Sequence, residues 1–159
     1  MQRHKFHEAT YIGLLMLLCK IASLQKNIAG TNMHFTIEVE HNILRAELFR
    51  RQTAEEMQEF MKALGAEIRK CGRNLILIYV RHSQPLFKAE HYADLTRLAG
   101  DGGSRVALVG DSEELRASHH YVELLTRQKG ANVRGFNDEG SALEWLRNGE
   151  PRKNVSRSG

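Results

Sequence analysis

The stretch Arg105-Val-Ala-Leu-Val-Gly-Asp111 decides the fold of this 159-residue chain. Residues 106–109 form an unbroken apolar run, and a strand without polar alternation is typical of a parallel sheet that is covered on both faces. Gly110 ends the run, and Asp111 and Glu114 have the spacing of a capping box, which starts a helix. The stretch therefore predicts a central strand that is followed directly by a helix.

Downstream of this stretch the strand and helix signals repeat. Gly130 is expected to end the first helix, residues 133–136 predict a short strand, and Asn137 or Asp138 can cap a last helix. That last helix has an inward face of Ala142, Trp145 and Leu146. The first helix is predicted to carry an inward apolar stripe with two flanking residues: Leu115, Val122 and Leu125, flanked by Tyr121 and Leu124.

Upstream, alternating apolar and polar residues predict two strands joined by a His41-Asn42 turn, which form an antiparallel hairpin. Thr53 and Glu56 have capping-box spacing and start an amphipathic helix. Residues 75–80 are a second fully apolar strand, and residues 87–99 predict another helix. The order of elements predicts an α/β fold with a mixed five-stranded sheet, an N-terminal antiparallel hairpin and right-handed βαβ crossovers.

The net charge of +4 is concentrated at the two ends of the chain. When Lys and Arg are counted against Asp and Glu, residues 1–32 carry +3 and residues 147–159 carry +3, so the remainder carries −2. A nucleic-acid interface normally needs Lys and Arg clustered on the fold itself. The charge distribution therefore predicts no nucleic-acid partner.

Residues 1–32 are predicted to be an N-terminal extension to a domain that spans residues 33–147. One interpretation is a dispensable extension before a start at Met33, and a second is a helix over residues 10–28 that docks on a partner or another subunit. A third is a targeting segment, because basic residues precede a nine-residue apolar run that is too short to span a membrane as a helix. The polar residues 148–159 predict a disordered tail. Two cysteines are too few for a disulfide framework, which predicts a cytoplasmic protein without membrane association.

Ligands of open α/β sheets bind at the carboxyl ends of the strands. In this chain two central strands end in polar residues, which gives six candidate contact residues: Arg81, His82, Ser83, Gly110, Asp111 and Ser112. The second group precedes a helix, where an anion could bind. Glu113 and Glu114 oppose a phosphate there, so helix capping is the favoured interpretation.

Other polar clusters do not predict chemistry. The glycine-rich residues 100–104 precede a strand, whereas a phosphate-binding loop lies between a strand and a helix. His119 and His120 are adjacent on a helix and point about 100° apart, so they do not predict a metal site, and a solvated or half-buried His119 is expected. His82 and Ser83 lack the surroundings of a nucleophile and its base. We therefore predict no metal, no cofactor and no catalytic residue, and a protein that is not an enzyme.

The sequence resembles the SpoIIAA-like family of the STAS superfamily, which comprises anti-anti-sigma-type domains. The resemblance covers about residues 33–147 and is carried by four segments: Arg105-Val-Ala-Leu-Val-Gly-Asp111, Glu114-Leu-Arg-Ala-Ser-His-His-Tyr121, Gly130-Ala-Asn-Val-Arg-Gly-Phe136 and Ala142-Leu-Glu-Trp-Leu146. It implies a regulatory module that binds a protein partner, or a second copy of itself, under phosphorylation control.

The resemblance also implies a regulatory residue. In anti-anti-sigma proteins the phosphorylated serine lies in an Asp-Ser-Ser-Gly turn after the third strand, and Ser83 takes that position here, within Arg81-His82-Ser83-Gln84-Pro85. The acidic residue, the second serine and the glycine of that turn are missing from this chain. Related domains are also compared with lipid-binding Sec14-like folds, which implies an alternative function: a small apolar ligand held between the sheet and the helix of residues 87–99.

Overall fold

The computed structural model describes residues 24–86, 93–99 and 103–149. Its sheet has six strands in sequential spatial order: β1 (Leu24–Asn27), β2 (His34–Glu40), β3 (Ile43–Phe49), β4 (Leu75–Arg81), β5 (Arg105–Gly110) and β6 (Val133–Phe136). The described helices are α1 (Ala54–Cys71), α2 (Ala93–Ala99), α3 (Glu113–Gln128) and α4 (Glu139–Asn148). The first three strands are antiparallel, and β3 to β6 are parallel. The predicted mixed α/β fold with an N-terminal hairpin and parallel crossovers is confirmed.

Strand β1 is the sixth strand, which the sequence did not predict. Leu24–Asn27 pairs antiparallel with β2, with Leu24 opposite Ile37. The prediction of a helix over residues 10–28 is therefore wrong for residues 24–27. Residues 10–23 lie outside the described residues. Three of the four β1 residues are exposed, because the strand lies at the edge of the sheet. Such a short polar strand lacks the apolar alternation that identifies a half-buried strand.

The two central strands are buried on both faces, as their apolar runs predict. On one face, side chains such as Ile78 and Leu108 join the core beneath α1, α2 and α3. On the other face, Leu77 and Ala107 pack against α4, which contributes Trp145 to this second core. Helices on both faces exclude water from β4 and β5, which explains why these strands lack polar alternation.

Helix α1 forms as its sequence predicts. Thr53 and Glu56 complete a capping box at its start, and Gly72 ends it in the left-handed conformation with φ 62°. Its buried face includes Met57, Phe60 and Leu64. For the helix predicted over residues 87–99, the structure shows α2 at Ala93–Ala99, and residues 87–92 lie outside the described residues.

Helix α3 buries Leu115 and Val122 of the predicted inward stripe, and Leu125 is half-buried. Leu124 is 58% exposed and Tyr121 is also exposed, whereas three polar side chains are buried: Ser118, His119 and Thr126. The cap also differs, because the hydroxyl of Ser112, and not Asp111, accepts a hydrogen bond from an N–H of the first turn. The predicted Asp111 cap is therefore wrong, and Tyr121 and Leu124, which were predicted to flank the stripe, lie on the exposed side of the helix.

Two glycines of the sheet explain how His119 of α3 comes to be buried against the strands. A Cβ at Gly110 would lie 3.3 Å from His119 Cε1, and one at Gly135 would lie 3.3 Å from the backbone of His119. The missing side chains let this turn of α3 approach the strands closely. The N–H of Gly135 also donates to the Glu123 carboxylate at 3.0 Å. Close approach of the backbone at these glycines therefore accounts for the burial of His119 beside the predicted apolar stripe.

Two leucines, one buried and one exposed, test the burial of side chains in this structure. Leu108 on β5 is 2% exposed, and Leu124 on α3 is 58% exposed. We expect Leu108→Ala to lower the free energy of unfolding by about 2–5 kcal/mol, because it leaves a cavity in the core. The matched Leu124→Ala should change it by no more than about 0.5 kcal/mol. Denaturant titrations measure the free energy of unfolding of both variants. A loss of more than about 0.5 kcal/mol from Leu124→Ala would contradict the exposed position of Leu124 on α3.

Candidate interaction site at the carboxyl edge of the sheet

Three parallel strands end at the same edge of the sheet. Phe49 of β3 is paired with Arg81 of β4, and Val80 of β4 is paired with Gly110 of β5. The residues that follow each strand are therefore neighbours, although they are about 30 positions apart in the sequence. All six residues predicted from the sequence lie at this edge, and the structure adds the residues that follow β3.

Hydrogen bonds join the exit of β3 to the exit of β4. The N–H of Arg50 donates to the carbonyl of Arg81 at 3.0 Å, and the N–H of Gln84 donates to the carbonyl of Arg51 at 2.9 Å. Ser83 Oγ accepts from the N–H of Arg51 at 3.0 Å and donates to the carbonyl of Arg81 at 2.9 Å. These four bonds, which we call the exit bridge, fix the two loops relative to each other.

Asp111 connects the third strand exit to the second. Its N–H donates to the carbonyl of Val80 at 3.3 Å, and its Oδ2 accepts the N–H of His82 at 3.0 Å. The same oxygen lies 3.4 Å from Nδ1 of His82, whose side chain is 74% exposed. The carboxylate of Asp111 therefore orients the His82 loop, which explains why Ser112 caps α3 in its place.

Two residues at this edge adopt left-handed backbone conformations that favour glycine. Arg50, directly after β3, has φ 57°, and His82, directly after β4, has φ 49°. A non-glycine residue in this region costs on the order of 1–3 kcal/mol and persists only where the surrounding structure holds it in place. The exit bridge and Asp111 supply that restraint. Strained residues of this kind cluster at functional sites, so the two positions mark this edge as a candidate site.

We call the exposed part of this edge the rim, and it consists of Arg50, His82, Gln84 and Asp111. The other predicted residues have structural contacts. Arg81 stacks on the ring of Tyr79 at 3.8 Å and lies 3.4 Å from the Glu47 carboxylate. A Cβ at Gly110 would lie 2.7 Å from Leu115 Cβ, so glycine is required there, and Ser112 caps α3.

Buried polar side chains support the rim from beneath. Arg51 is only 3% exposed, and its guanidinium donates to the carbonyl of Gln84 and lies 3.7 Å from the sulfur of Met57. Ser118 of α3 donates to the carbonyl of Leu86 at 2.5 Å. The segment from His82 to Leu86 is therefore held by side chains from two other elements. The sequence carries no local signal for these two contacts, because the carbonyls that Arg51 and Ser118 bind are more than 30 residues away.

His119 lies in the same buried layer and is 6% exposed, so the expected solvated or half-buried position is wrong. Burial lowers its pKa to about 3, and the positive charge of Arg51 and the neighbouring His120 act in the same direction. The imidazole is therefore neutral at physiological pH. Among the described residues, Nδ1 of His119 has no hydrogen-bond partner. The only sequence signals for this burial are the glycines at positions 110 and 135, which make room for the helix.

The described part of the chain contains no group of three or more His, Cys, Asp or Glu side chains that could hold a metal ion. In the same residues, no helix is both long enough and apolar enough to cross a membrane. The rim combines Arg50 with Asp111 and two further polar side chains. Such a surface can make hydrogen bonds and ion pairs with a protein partner.

Comparison with known families gives the class of the protein. The sequence model of the SpoIIAA-like family matches residues 43–147, which is most of the chain and includes every rim residue. The chain therefore belongs to the SpoIIAA-like family. Proteins of this family, within the STAS superfamily, are generally regulatory, non-enzymatic domains that interact with other proteins. A search of curated proteins finds no significant match.

The low pKa of His119 predicts an acid-dependent loss of stability. Between the folded-state pKa of about 3 and the ordinary 6.5, the unfolded state binds a proton that the folded state does not bind. The free energy of unfolding should therefore fall as the pH drops through this window, by roughly 2 kcal/mol from this residue between pH 7.5 and 5.

Denaturant titrations of two matched variants measure this contribution. His119→Gln should remove roughly 2 kcal/mol of the decrease between pH 7.5 and 5. His120→Gln, at the exposed neighbouring position on the same helix, should retain the decrease. The same pH dependence in His119→Gln and the wild type would show that His119 is not the group responsible.

Proposed function

We propose that this SpoIIAA-like domain is a regulatory protein-binding module whose partner contacts the rim. The observation that carries the proposal is the exit bridge, in which the Ser83 hydroxyl contacts the backbone of both Arg51 and Arg81. A surface that is already ordered before binding loses less conformational entropy on association. Arg50 and His82, the two strained residues, are exposed on this ordered edge.

The charges of the rim favour a protein partner. Arg50 and Asp111 carry opposite charges at this edge, although the Asp111 side chain is only 20% exposed, and His82 and Gln84 add exposed hydrogen-bonding groups. Complementary charges at the edge of an interface contribute to specificity and to the rate of association. A nucleic acid would require a surface of one sign. The partner is therefore a second protein, or a second copy of this chain.

We further propose that phosphorylation of Ser83 weakens this contact. A phosphoryl group would replace the hydroxyl hydrogen that the Arg81 carbonyl accepts, and it would add about 1.5–2 negative charges. Two like-charged oxygens would then meet at the Arg81 carbonyl, which would open the exit bridge. The Ser83 side chain is half-buried, so a kinase would act on a state in which the loop is partly open.

We assign no reaction to the protein and propose a cytoplasmic location, from its two cysteines. The alternative of a small apolar ligand between the sheet and the helix of residues 87–99 has less support. In the described part of that helix, Leu95 and Ala99 are buried in the core. Their side chains occupy the space in which such a ligand was expected.

Affinity capture from a lysate of the native cell, quantified by mass spectrometry, tests the contact at the rim. We compare the wild type with Ser83→Asp, Ser83→Ala and Ser104→Asp. Ser104 precedes β5, so the control places the same charge at the opposite edge of the sheet. A partner that binds the rim should be retained by Ser104→Asp and reduced at least tenfold by Ser83→Asp. Ser83→Ala should give an intermediate reduction, because it loses the bridge without adding charge.

The variants must first show circular dichroism spectra and melting temperatures close to those of the wild type. A reproducible partner that Ser83→Asp and Ser104→Asp capture equally would contradict both the rim contact and its regulation. Equal losses from Ser83→Ala and Ser83→Asp would retain the rim contact, but they would remove charge as the basis of regulation.

A further inference from the structure

A groove of about 530 Å³ lies between α1 and α2 and does not include any rim residue. Its apolar lining residues are Met61 and Ile68 from α1 and Leu98 from α2, and among the described residues one side is open to solvent. From Gln58 to Arg69 the α1 wall runs for roughly 16 Å at 1.5 Å per residue. The groove is thus an elongated surface of mixed apolar and charged residues, about three helical turns long.

The edges of this groove carry an excess of positive charge. Lys62 and Arg69 lie on the α1 side, and Arg97 lies on the α2 side. Asp94 is the acidic residue in the lining, and its carboxylate forms an ion pair with Arg97 at 2.9 Å. Among the described residues Lys62 and Arg69 form no ion pair, so their charges can attract an acidic group, and their position beside the apolar lining residues favours an occupant that is both apolar and acidic.

Gly65 lies in the middle of the α1 wall and is not explained by the packing of the domain. Glycine destabilises a helix interior relative to alanine, and Gly65 does not have a positive φ that would require it. Among the described residues, a Cβ at this position would meet only Arg69 Nη1, at an ordinary contact distance of 3.4 Å. The glycine instead leaves the α1 backbone accessible at the centre of the groove, where another chain can approach closely.

We propose that this groove binds an acidic amphipathic helix of a partner protein. A small ligand usually has 70–90% of its surface buried in its pocket, and the open side of this groove prevents such enclosure. A helix needs only one buried stripe, and apolar residues at i, i+3 or i+4, and i+7 cover three turns. Acidic residues beside that stripe meet Lys62 and Arg69, and an apolar side chain at its centre packs over Gly65.

Two synthetic peptides of 14 residues provide the test. Each has leucines at helical spacing, and the flanking positions are glutamates in one peptide and lysines in the other. Fluorescence anisotropy should show that the full chain binds the acidic peptide at least tenfold more tightly than the basic one. Lys62→Glu should lower the affinity for the acidic peptide at least fivefold. Lys70→Glu, the same change on an exposed α1 residue outside the groove, should leave the affinity within twofold.

Variants of Gly65 separate binding from stability. Gly65→Ala should raise the melting temperature by about 2–4 °C, because alanine favours the helix. It should also lower the affinity for the acidic peptide several-fold. Gly65→Leu should lower the affinity for the acidic peptide at least tenfold while the helix remains folded. Wild-type affinity in Gly65→Leu, equal binding of both peptides, or binding of dodecanoate in place of either peptide would overturn the proposal. Ser83→Asp should not change the affinity for the peptide, so this result is independent of the proposed rim contact.

Discussion

The hydrogen bonds of the Ser83 hydroxyl are the interaction on which the proposed site depends. This one group joins the backbone of two loops that leave adjacent parallel strands, by accepting from Arg51 and donating to Arg81. It can do so because β3 and β4 end in register at the edge of the sheet. The restraint allows Arg50 and His82 to hold left-handed conformations that would otherwise relax. Hydrogen bonds thereby restrain the surface at this edge of the sheet.

The rim also depends on the polar layer beneath it. Arg51 and His119 are buried together, an arrangement that is tolerated because the imidazole is neutral. The Arg51 guanidinium donates a hydrogen bond to the carbonyl of Gln84, and the Ser118 hydroxyl donates one to the carbonyl of Leu86. Hydrogen bonds thus connect the backbone of this loop to buried polar side chains. The same layer explains why the domain should lose stability in acid.

The sequence predicts the central sheet well, because burial on both faces leaves a direct signal in the apolar runs of β4 and β5. It also places the six candidate residues at one edge, because parallel strands end together. It fails where distant backbone decides the outcome. Gly110 and Gly135 allow His119 of α3 to lie against the strands. Asp111 accepts the N–H of His82, so Ser112 caps the helix. No local pattern identifies Arg51, since its contacts are made by the fold.

Amide hydrogen exchange, followed residue by residue by nuclear magnetic resonance, tests the central claim that the rim is ordered before any partner binds. We expect the amides of Arg51, His82 and Gln84 to exchange nearly as slowly as those in the middle of β5, since each donates a hydrogen bond within this edge. In Ser83→Ala, the Arg51 amide should exchange much faster while the β5 amides do not change. Exchange of these three amides at the rate of an unprotected loop in the wild type would contradict the account.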